Sequence, residues 1–315
     1  MAVIADSTAE VELLGGPAAG PTSGPASAEP RLARADAYVS VPVLIDGEPL
    51  RASGAKAAAE MAMAHATGRA VTTARPAPQA FADAIARCVE AGAASVVVVT
   101  MSARLSGTWE SARLGAEGAA VPVTVVDSGS IGWQTAELVD TLVRCRPAEG
   151  GPSGAEDVRA VAGVHAETAR PRLPLFATMP SVKTLLAGGR GAGHAAAGGA
   201  AQETAAGPAP EPSPLAAAGP WPVVTFDDGR LTGVLPVGTR DAAVEECVRL
   251  AAASAQGSVR LCVETNDPTR AALVEEACAS AGVAPPLLCH LSPVLSAHLG
   301  AGAFVVSAMG SAART

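Results

Sequence analysis

Four short polar stretches of the sequence contain residue types that could hold an anionic ligand. Each combines hydroxyl or carboxylate side chains next to an apolar run or a helical pattern, and they are residues 6–8, 72–78, 102–108 and 127–128. Ligands of open α/β sheets bind at the carboxyl ends of strands, where helix N-termini also offer free amide groups. The stretches therefore predict a site for a carboxylate or phosphate oxygen. The alternative is that each Ser, Thr or Asp only caps a helix, as these residue types commonly do.

Motifs of catalysis and metal binding are not recognisable in the sequence. It has no G-x-S-x-G elbow, no phosphate-binding P-loop and no H-E-x-x-H motif,. Its six cysteines include no C-x-x-C pair, so we expect reduced thiols and no metal site,. A Ser106 nucleophile with His298 as its base stays an alternative, because triad members can come from distant positions. The sequence favours a binding protein over an enzyme.

The first half of the chain has the pattern of an α/β fold. Short valine-rich runs alternate with helical patterns, which predicts a mainly parallel sheet with helices on both faces. The predicted strands are residues 2–5, 39–45, 94–101 and 121–126. A helix is predicted to begin at Pro78, because Phe81, Ile85, Cys88 and Val89 recur at helical spacing,.

A polar break at residues 147–152 predicts a domain boundary near residue 150,. The predicted N-terminal α/β domain spans residues 1–150, and the C-terminal α/β domain spans residues 151–315. In the second half we predict strands at residues 173–177, 221–226, 231–237, 259–264, 286–291 and 303–308, and helices at residues 155–169, 241–253 and 269–281. The D-G sequence within residues 227–230 predicts a β-hairpin.

Two stretches rich in Gly, Ala and Pro lack large apolar side chains. They are residues 15–29 and 188–220, and the second includes a predicted flexible insert at about residues 191–220. Such a composition buries too little apolar surface to offset the entropy of ordering the chain. We therefore expect both to be flexible surface loops.

Composition excludes several classes of protein. With 315 residues, 49% of them hydrophobic, the chain is long enough to bury a sizeable core,. Its longest strongly apolar run, residues 96–101, is far shorter than the roughly 18 residues that a membrane span requires,, and its N-terminus lacks the pattern of a secretory signal. The formal net charge of -8 opposes nucleic-acid binding,. We expect a cytoplasmic protein without a membrane span.

Eight strings of residues, taken in order, resemble the DegV family of bacterial fatty-acid-binding proteins. They are residues 3–9, 41–43, 73–78, 102–112, 126–128, 185–190, 228–231 and 298–303. The resemblance implies a two-domain α/β fold that encloses one long-chain fatty acid, such as palmitate or oleate, between the domains. It implies no cofactor besides this bound lipid.

The resemblance also implies roles for particular residues. Thr73, Ser102 and Ser106 match the family positions that hold the fatty-acid carboxylate, whereas Arg190 and His298 would lie at the carboxylate end or on a kinase-facing surface. Members of the family serve as the lipid-presenting, non-catalytic subunit of a fatty acid kinase. The partner kinase subunit binds ATP and phosphorylates the carboxylate.

The sequence departs from the family pattern at the same loops. Ala74 and Arg75 stand where the family has serine and glutamine, and Ala103 replaces a second serine. Fewer hydroxyls would then contact the carboxylate, and the charge of Arg75 could compensate. Residues 191–220 replace an apolar helix of the family. Two alternatives remain, a diverged lipid sensor without kinase coupling and a stand-alone serine hydrolase acting on acyl esters.

Overall fold

A computed structural model describes residues 1–14, 32–146, 173–180, 219–255 and 260–309. Its strands form three sheets, of four, three and six strands. The strands of the first two sheets end before residue 128, and those of the third begin at Leu175. The predicted α/β class is confirmed, whereas the domain boundary near residue 150 lies outside the described residues and stays a prediction.

The four-stranded sheet is entirely parallel, as predicted. Its strands are β1 (Ala2–Asp6), β2 (Ala37–Val39), β6 (Val96–Thr100) and β7 (Val123–Asp127), in the order β2-β1-β6-β7. All residues of β1 and β6 are buried. Because alternate side chains of a strand point to opposite faces, the two central strands contribute to a core on each side of the sheet.

A small antiparallel sheet lies beside the parallel one. It consists of β3 (Val43–Ile45), β4 (Glu48–Pro49) and β5 (Val71–Thr73), in the order β4-β3-β5. The single strand predicted for residues 39–45 is therefore wrong, because the chain passes from one sheet to another within it. Val41 donates its amide hydrogen to the Ser7 hydroxyl, and Pro42 has no amide hydrogen for a ladder,.

Helices cover both faces of the parallel sheet. They are α2 (Pro78–Glu90), α3 (Thr108–Gly115) and α4 (Trp133–Arg144), whereas α1 (Gly54–Ala66) packs against the small antiparallel sheet. Phe81 and Ile85 of α2 pack in one core with Ile4 of β1, as the helical spacing predicted. Leu138 and Leu142 of α4 pack in another core, on the opposite face.

The six-stranded sheet is mixed. Its strands are β8 (Leu175–Thr178), β9 (Val223–Asp227), β10 (Arg230–Leu235), β11 (Arg260–Thr265), β12 (Ala284–His290) and β13 (Phe304–Ala308), in the order β10-β9-β8-β13-β11-β12. Only the β11–β12 pair is parallel among these neighbours. The helices α5 (Arg240–Ser254) and α6 (Ala271–Ser280) contribute to a core on one face, and α7 (Pro293–Leu299) packs in a second core.

The predicted hairpin forms between β9 and β10. Asp228 and Gly229 occupy its turn with φ of 47° and 69°. Positive φ at both central residues fits the tight turn that a D-G sequence favours, because its twist matches that of the strands.

Several predictions fall on residues that the structure does not describe. They are the helix at residues 155–169, the loop at residues 15–29, and residues 188–218 of the second loop, which include Arg190. Within the described ranges, no helix is both long and apolar enough to cross a membrane.

Candidate functional site

The loop after β6 contains two of the predicted carboxylate-binding residues. The Ser102 side chain is fully buried, and its hydroxyl accepts the Arg104 amide hydrogen at 3.2 Å. Ser106 is half-buried, and its hydroxyl oxygen lies 2.8 Å from that of Thr108. The Thr108 amide, at the first position of α3, also donates to the Ser106 hydroxyl at 3.3 Å. Ser106 thus lies at the N-terminus of a helix, where free amide groups attract anions.

Thr73 and His298 are in contact, although 225 positions separate them in sequence. Thr73 ends β5 and His298 lies near the end of α7, and the Thr73 hydroxyl is 2.9 Å from Nε2 of the imidazole. Two contacts hold α7 in place: the Ser292 hydroxyl caps it by accepting the Leu295 amide hydrogen at 3.2 Å, and His65 of α1 contacts the Ser296 carbonyl at 3.0 Å.

Arg75 connects the Thr73 loop with the Ser106 loop. Its side chain lies so close to Gly107 that a Cβ atom there would be 2.8 Å from Cδ of Arg75. The nearby carboxyl of Glu110 has a lowered pKa, mainly because it pairs with Arg113 and to a smaller extent because of the charge of Arg75. The positive charge that distinguishes this loop is therefore next to Ser106.

An apolar pocket, called the acyl pocket below, lies between the two halves of the molecule. Its volume is about 50 Å³. Loops of the parallel sheet, strands of the six-stranded sheet and α7 all contribute to its wall, which consists of Met101, Leu105, Ile131, Leu175, Ala177, Phe226, Leu231, Leu295, His298, Leu299 and Val305. Among the described residues of this wall, His298 is the one with an ionisable side chain, and the same imidazole contacts Thr73.

The β9–β10 turn closes against the Ser102 loop. Gly229 lies so close that a Cβ atom there would be 1.9 Å from the Ser102 hydroxyl. Arg104 forms an ion pair with Asp228 and donates to its backbone carbonyl at 2.7 Å. The turn and the loop come from sequence regions more than 100 residues apart, so sequence reasoning missed this contact. The sequence indicated the hairpin through the apolar residues that flank the D-G turn, but it did not indicate which loop the turn contacts.

Asp6 holds the beginning of the Ser102 loop through a hydrogen bond from the Met101 amide. Its buried carboxylate accepts hydrogen bonds from the Met101 amide at 2.5 Å and from the amide and hydroxyl of Thr8. Burial raises the pKa of Asp6, and these hydrogen bonds oppose the rise. For this stretch the capping alternative is correct, since Asp6 caps the short 3-10 helix Ser7–Ala9.

Asp127, the last residue of β7, also accepts hydrogen bonds from the backbone of neighbouring loops. It accepts the amide hydrogens of Ala103 at 3.0 Å and Gly129 at 2.9 Å, so it fixes the neighbouring loops. Across the described part of the chain, no three His, Cys, Asp or Glu side chains are grouped as metal ligands.

A family model for an uncharacterised protein of the DegV family matches residues 33–201, just over half of the chain. The chain belongs to the DegV family. A curated DegV domain-containing protein of Streptomyces coelicolor is 49% identical over 63 residues, which are 20% of this chain. That match spans only 22% of the length of the Streptomyces protein.

Solved DegV structures share the fold over nearly the whole chain. A fatty-acid-binding DegV protein from Thermus thermophilus has a TM-score of 0.65 at 23% identity, covering 98% of this chain and 100% of its own. A DegV protein from Ruminococcus gnavus, solved with vaccenic acid, has a TM-score of 0.66 at 17% identity, covering 97% and 98%. The structural similarity therefore extends beyond residue 201, where the family model ends, into the region that contains the strands β9 to β13.

Proposed function

We propose that this DegV protein binds one long-chain fatty acid, such as palmitate or oleate. The observation that carries the proposal is the position of His298, which lines the acyl pocket and contacts the Thr73 hydroxyl. An apolar pocket with one imidazole in its wall, which itself contacts a hydroxyl group, suits a ligand with an apolar tail and a polar head. The fatty-acid-binding protein of T. thermophilus, which has the same fold, supports this assignment.

The acyl pocket supplies most of the binding free energy. Burial of each CH₂ group is worth about 0.8 kcal/mol. The pocket volume of about 50 Å³ is small compared with the roughly 300–1,000 Å³ of ordinary ligand pockets,. Entry of the acyl chain therefore requires the walls to separate, and we expect Phe226 of β9 and Leu299 of α7 to move apart.

We propose that the carboxylate lies near Thr73, beside the acyl pocket. Thr73 and Ser106 offer hydroxyl donors, Arg75 adds a positive charge, and α3 adds its N-terminal amides,. Ser102 is the third proposed carboxylate ligand. Gly229 packs directly against the Ser102 hydroxyl, so Ser102 can contact the carboxylate only if the β9–β10 turn shifts.

The bound lipid is then presented to an ATP-dependent fatty acid kinase subunit in the cytoplasm. In that reaction a carboxylate oxygen attacks the γ-phosphorus of ATP, which yields an acyl phosphate and ADP. The DegV protein holds and orients the carboxylate and does no chemistry alone. Arg190 and His298 are proposed to lie at the kinase-facing end, with the charge of Arg190 stabilising the acyl phosphate.

Lipid binding is tested first on the purified protein. Native mass spectrometry is expected to show one small molecule per chain, and denaturing extraction is expected to identify it as a fatty acid. The double variant Thr73→Val/Ser106→Ala should bind palmitate at least about tenfold more weakly, since two donors to a charged group are lost. Thr72→Val, an exposed neighbour on β5, is the matched control. Unchanged palmitate affinity in the double variant would contradict the carboxylate assignment.

Kinase coupling has a separate test. The lipid-loaded protein, a bacterial fatty acid kinase subunit and ATP should together form acyl phosphate, and Arg190→Ala should lower the yield without releasing the lipid. Lipid binding without acyl phosphate would favour the diverged lipid sensor. Hydrolysis of acyl esters by the DegV protein alone would favour the hydrolase. The geometry gives that enzyme little support, because the hydrogen bonds described for Ser106 go to Thr108.

A further inference from the structure

A second and larger cavity lies on the other side of α7. Its volume is about 310 Å³, and we call it the polar cavity. Four strands direct their carboxyl ends toward it: Ser7 follows β1, Val41 follows β2, Asn266 follows β11 and Ser292 follows β12. Both pairs, β1–β2 and β11–β12, are parallel. Such carboxyl ends are where ligands of α/β sheets bind.

The polar cavity is separate from the acyl pocket. No residue of the described ranges lines both, and the two are divided by α7, whose Val294 lines the polar cavity and whose Leu295 and Leu299 line the acyl pocket. A ligand in the polar cavity would therefore not compete directly with a bound acyl chain.

Two residues that line the polar cavity have a buried side-chain polar atom without a described hydrogen-bond partner. Asn266 donates its Nδ2 to the Leu291 carbonyl at 3.0 Å, and its buried Oδ1 has no hydrogen-bond partner among the described residues. His290 donates its backbone amide to the Glu12 carbonyl at 2.8 Å, and its buried Nδ1 also lacks a partner in the described part of the chain. Buried polar atoms without partners are uncommon, so the Oδ1 acceptor of Asn266 is available to a hydrogen-bond donor of a ligand,.

The charge of the lining is negative. Glu10 and Glu12 line the polar cavity, and no Lys or Arg does so among the described residues. Glu10 is paired with Arg34 at 2.7 Å, whereas the structure describes no ion pair for Glu12. Glu12 is exposed, and its carboxylate lies beside Gly54 at the beginning of α1, where a Cβ atom would be 3.3 Å from Oε2.

We propose that the polar cavity binds a small organic amine, with its ammonium group at Glu12 and its apolar body against Val41, Leu291 and Val294. An ammonium ion has only donors, so it matches a lining of carboxylate, amide and hydroxyl oxygens. An anion would meet the carboxylate of Glu12, for which no ion pair is described, and no Lys or Arg among the described lining residues. The cavity is near the lower limit of about 300 Å³ for ligand pockets, so the amine is small,.

Titration of the full chain with cyclohexylamine near neutral pH tests the proposal. Cyclohexanol and cyclohexanecarboxylate are the neutral and anionic probes of the same shape, and calorimetry or ligand-observed NMR measures binding. We expect cyclohexylamine to bind at least about tenfold more tightly than either, because a charge-assisted hydrogen bond forms only with the amine. Equal or weaker binding of the amine would overturn the proposal.

Two pairs of variants locate the site. Glu12→Gln should weaken cyclohexylamine binding about tenfold, whereas Glu48→Gln, an exposed residue of β4 that does not line the cavity, should leave it unchanged,. Ala58→Phe keeps both carboxylates but fills the cavity and should abolish binding. Its control is Ala59→Phe, an exposed neighbour on α1. If neither Glu12→Gln nor Ala58→Phe differs from its control, the amine binds elsewhere and the assignment is wrong.

Discussion

Glu264 is a buried carboxylate that joins the two halves of the molecule. It lies on β11, and its Oε1 accepts the amide hydrogen of Trp133, the first residue of α4, at 2.9 Å. Its Oε2 has no hydrogen-bond partner in the described structure. Gly132 packs so closely that a Cβ atom there would be 2.4 Å from Oε1. Burial raises the pKa of Glu264 to about 7, and the Trp133 hydrogen bond opposes the rise.

This raised pKa predicts a pH-dependent loss of stability. In the unfolded chain the carboxyl loses its proton near its ordinary pKa of 4.5, whereas in the folded protein it keeps the proton until about pH 7. Between these values the unfolded state binds fewer protons, so stability falls as the pH rises. At about 1.4 kcal/mol per pKa unit, the loss approaches about 3 kcal/mol and levels off above pH 7.

The variant Glu264→Gln isolates this contribution. Its amide oxygen can still accept the Trp133 hydrogen bond, but it carries no charge at any pH. Urea unfolding, followed by circular dichroism between about pH 5 and pH 9, measures the free energy of unfolding. We expect the variant and the wild type to have similar stability at the acidic end, and the variant to be more stable by about 3 kcal/mol at the alkaline end.

A matched control is Glu90→Gln, because Glu90 is an exposed residue at the end of α2. It should follow the pH profile of the wild type. A constant stability difference between Glu264→Gln and the wild type over the whole pH range would refute the reasoning. So would a difference that grows toward acidic pH.

Two further predictions concern the β9–β10 hairpin. Gly229→Ala should lower the free energy of unfolding by about 2–4 kcal/mol, because its Cβ would collide with the Ser102 hydroxyl and its φ is positive,. Gly238 also has a positive φ but open space around it, so Gly238→Ala should cost only about 1 kcal/mol in urea unfolding,. Phe226 lines the acyl pocket, so Phe226→Ala should weaken palmitate binding by at least about tenfold with a small loss of stability,. Phe81 is fully buried in the other half of the molecule, so Phe81→Ala should lower the free energy of unfolding by about 3–5 kcal/mol and leave the palmitate affinity of the folded protein unchanged,. Equal costs of the two glycine variants, or unchanged palmitate affinity in Phe226→Ala, would contradict the described geometry.

Elements with a strong local pattern could be predicted from the sequence. The valine run of β6, the helix that begins at Pro78 and the D-G hairpin all form as expected, because period and turn chemistry act between near neighbours,. The resemblance to the DegV family is also confirmed, because the family model matches residues 33–201.

Four helices within the described ranges were not predicted, and their patterns explain why. In α1 the sequence is mostly alanine with few large apolar residues, so its periodicity is weak. In α4 nearly every residue of the first two turns is buried, polar Gln134 and Thr135 included, which hides the amphipathic pattern,. The helices α3 and α7 have only eight and seven residues, too short for a periodic pattern to stand out.

For the candidate site too, some features could be predicted from the sequence and others only from the tertiary structure. The sequence by itself determined which residue types are available: the hydroxyls of Thr73 and Ser106, the charge of Arg75 and the imidazole of His298. Only the tertiary structure decided that Thr73 contacts His298, that Arg75 lies against Gly107 and that His298 lines an apolar pocket.

The physical reason is the range over which each interaction acts. Backbone propensity, capping and turn preference depend on residues a few positions apart, so a sequence pattern records them. Contacts between Thr73 and His298, or between Trp133 and Glu264, bridge 225 and 131 positions. They form only because burial of apolar side chains brings separate sheets together, and this burial depends on area and fit, with little regard to sequence order.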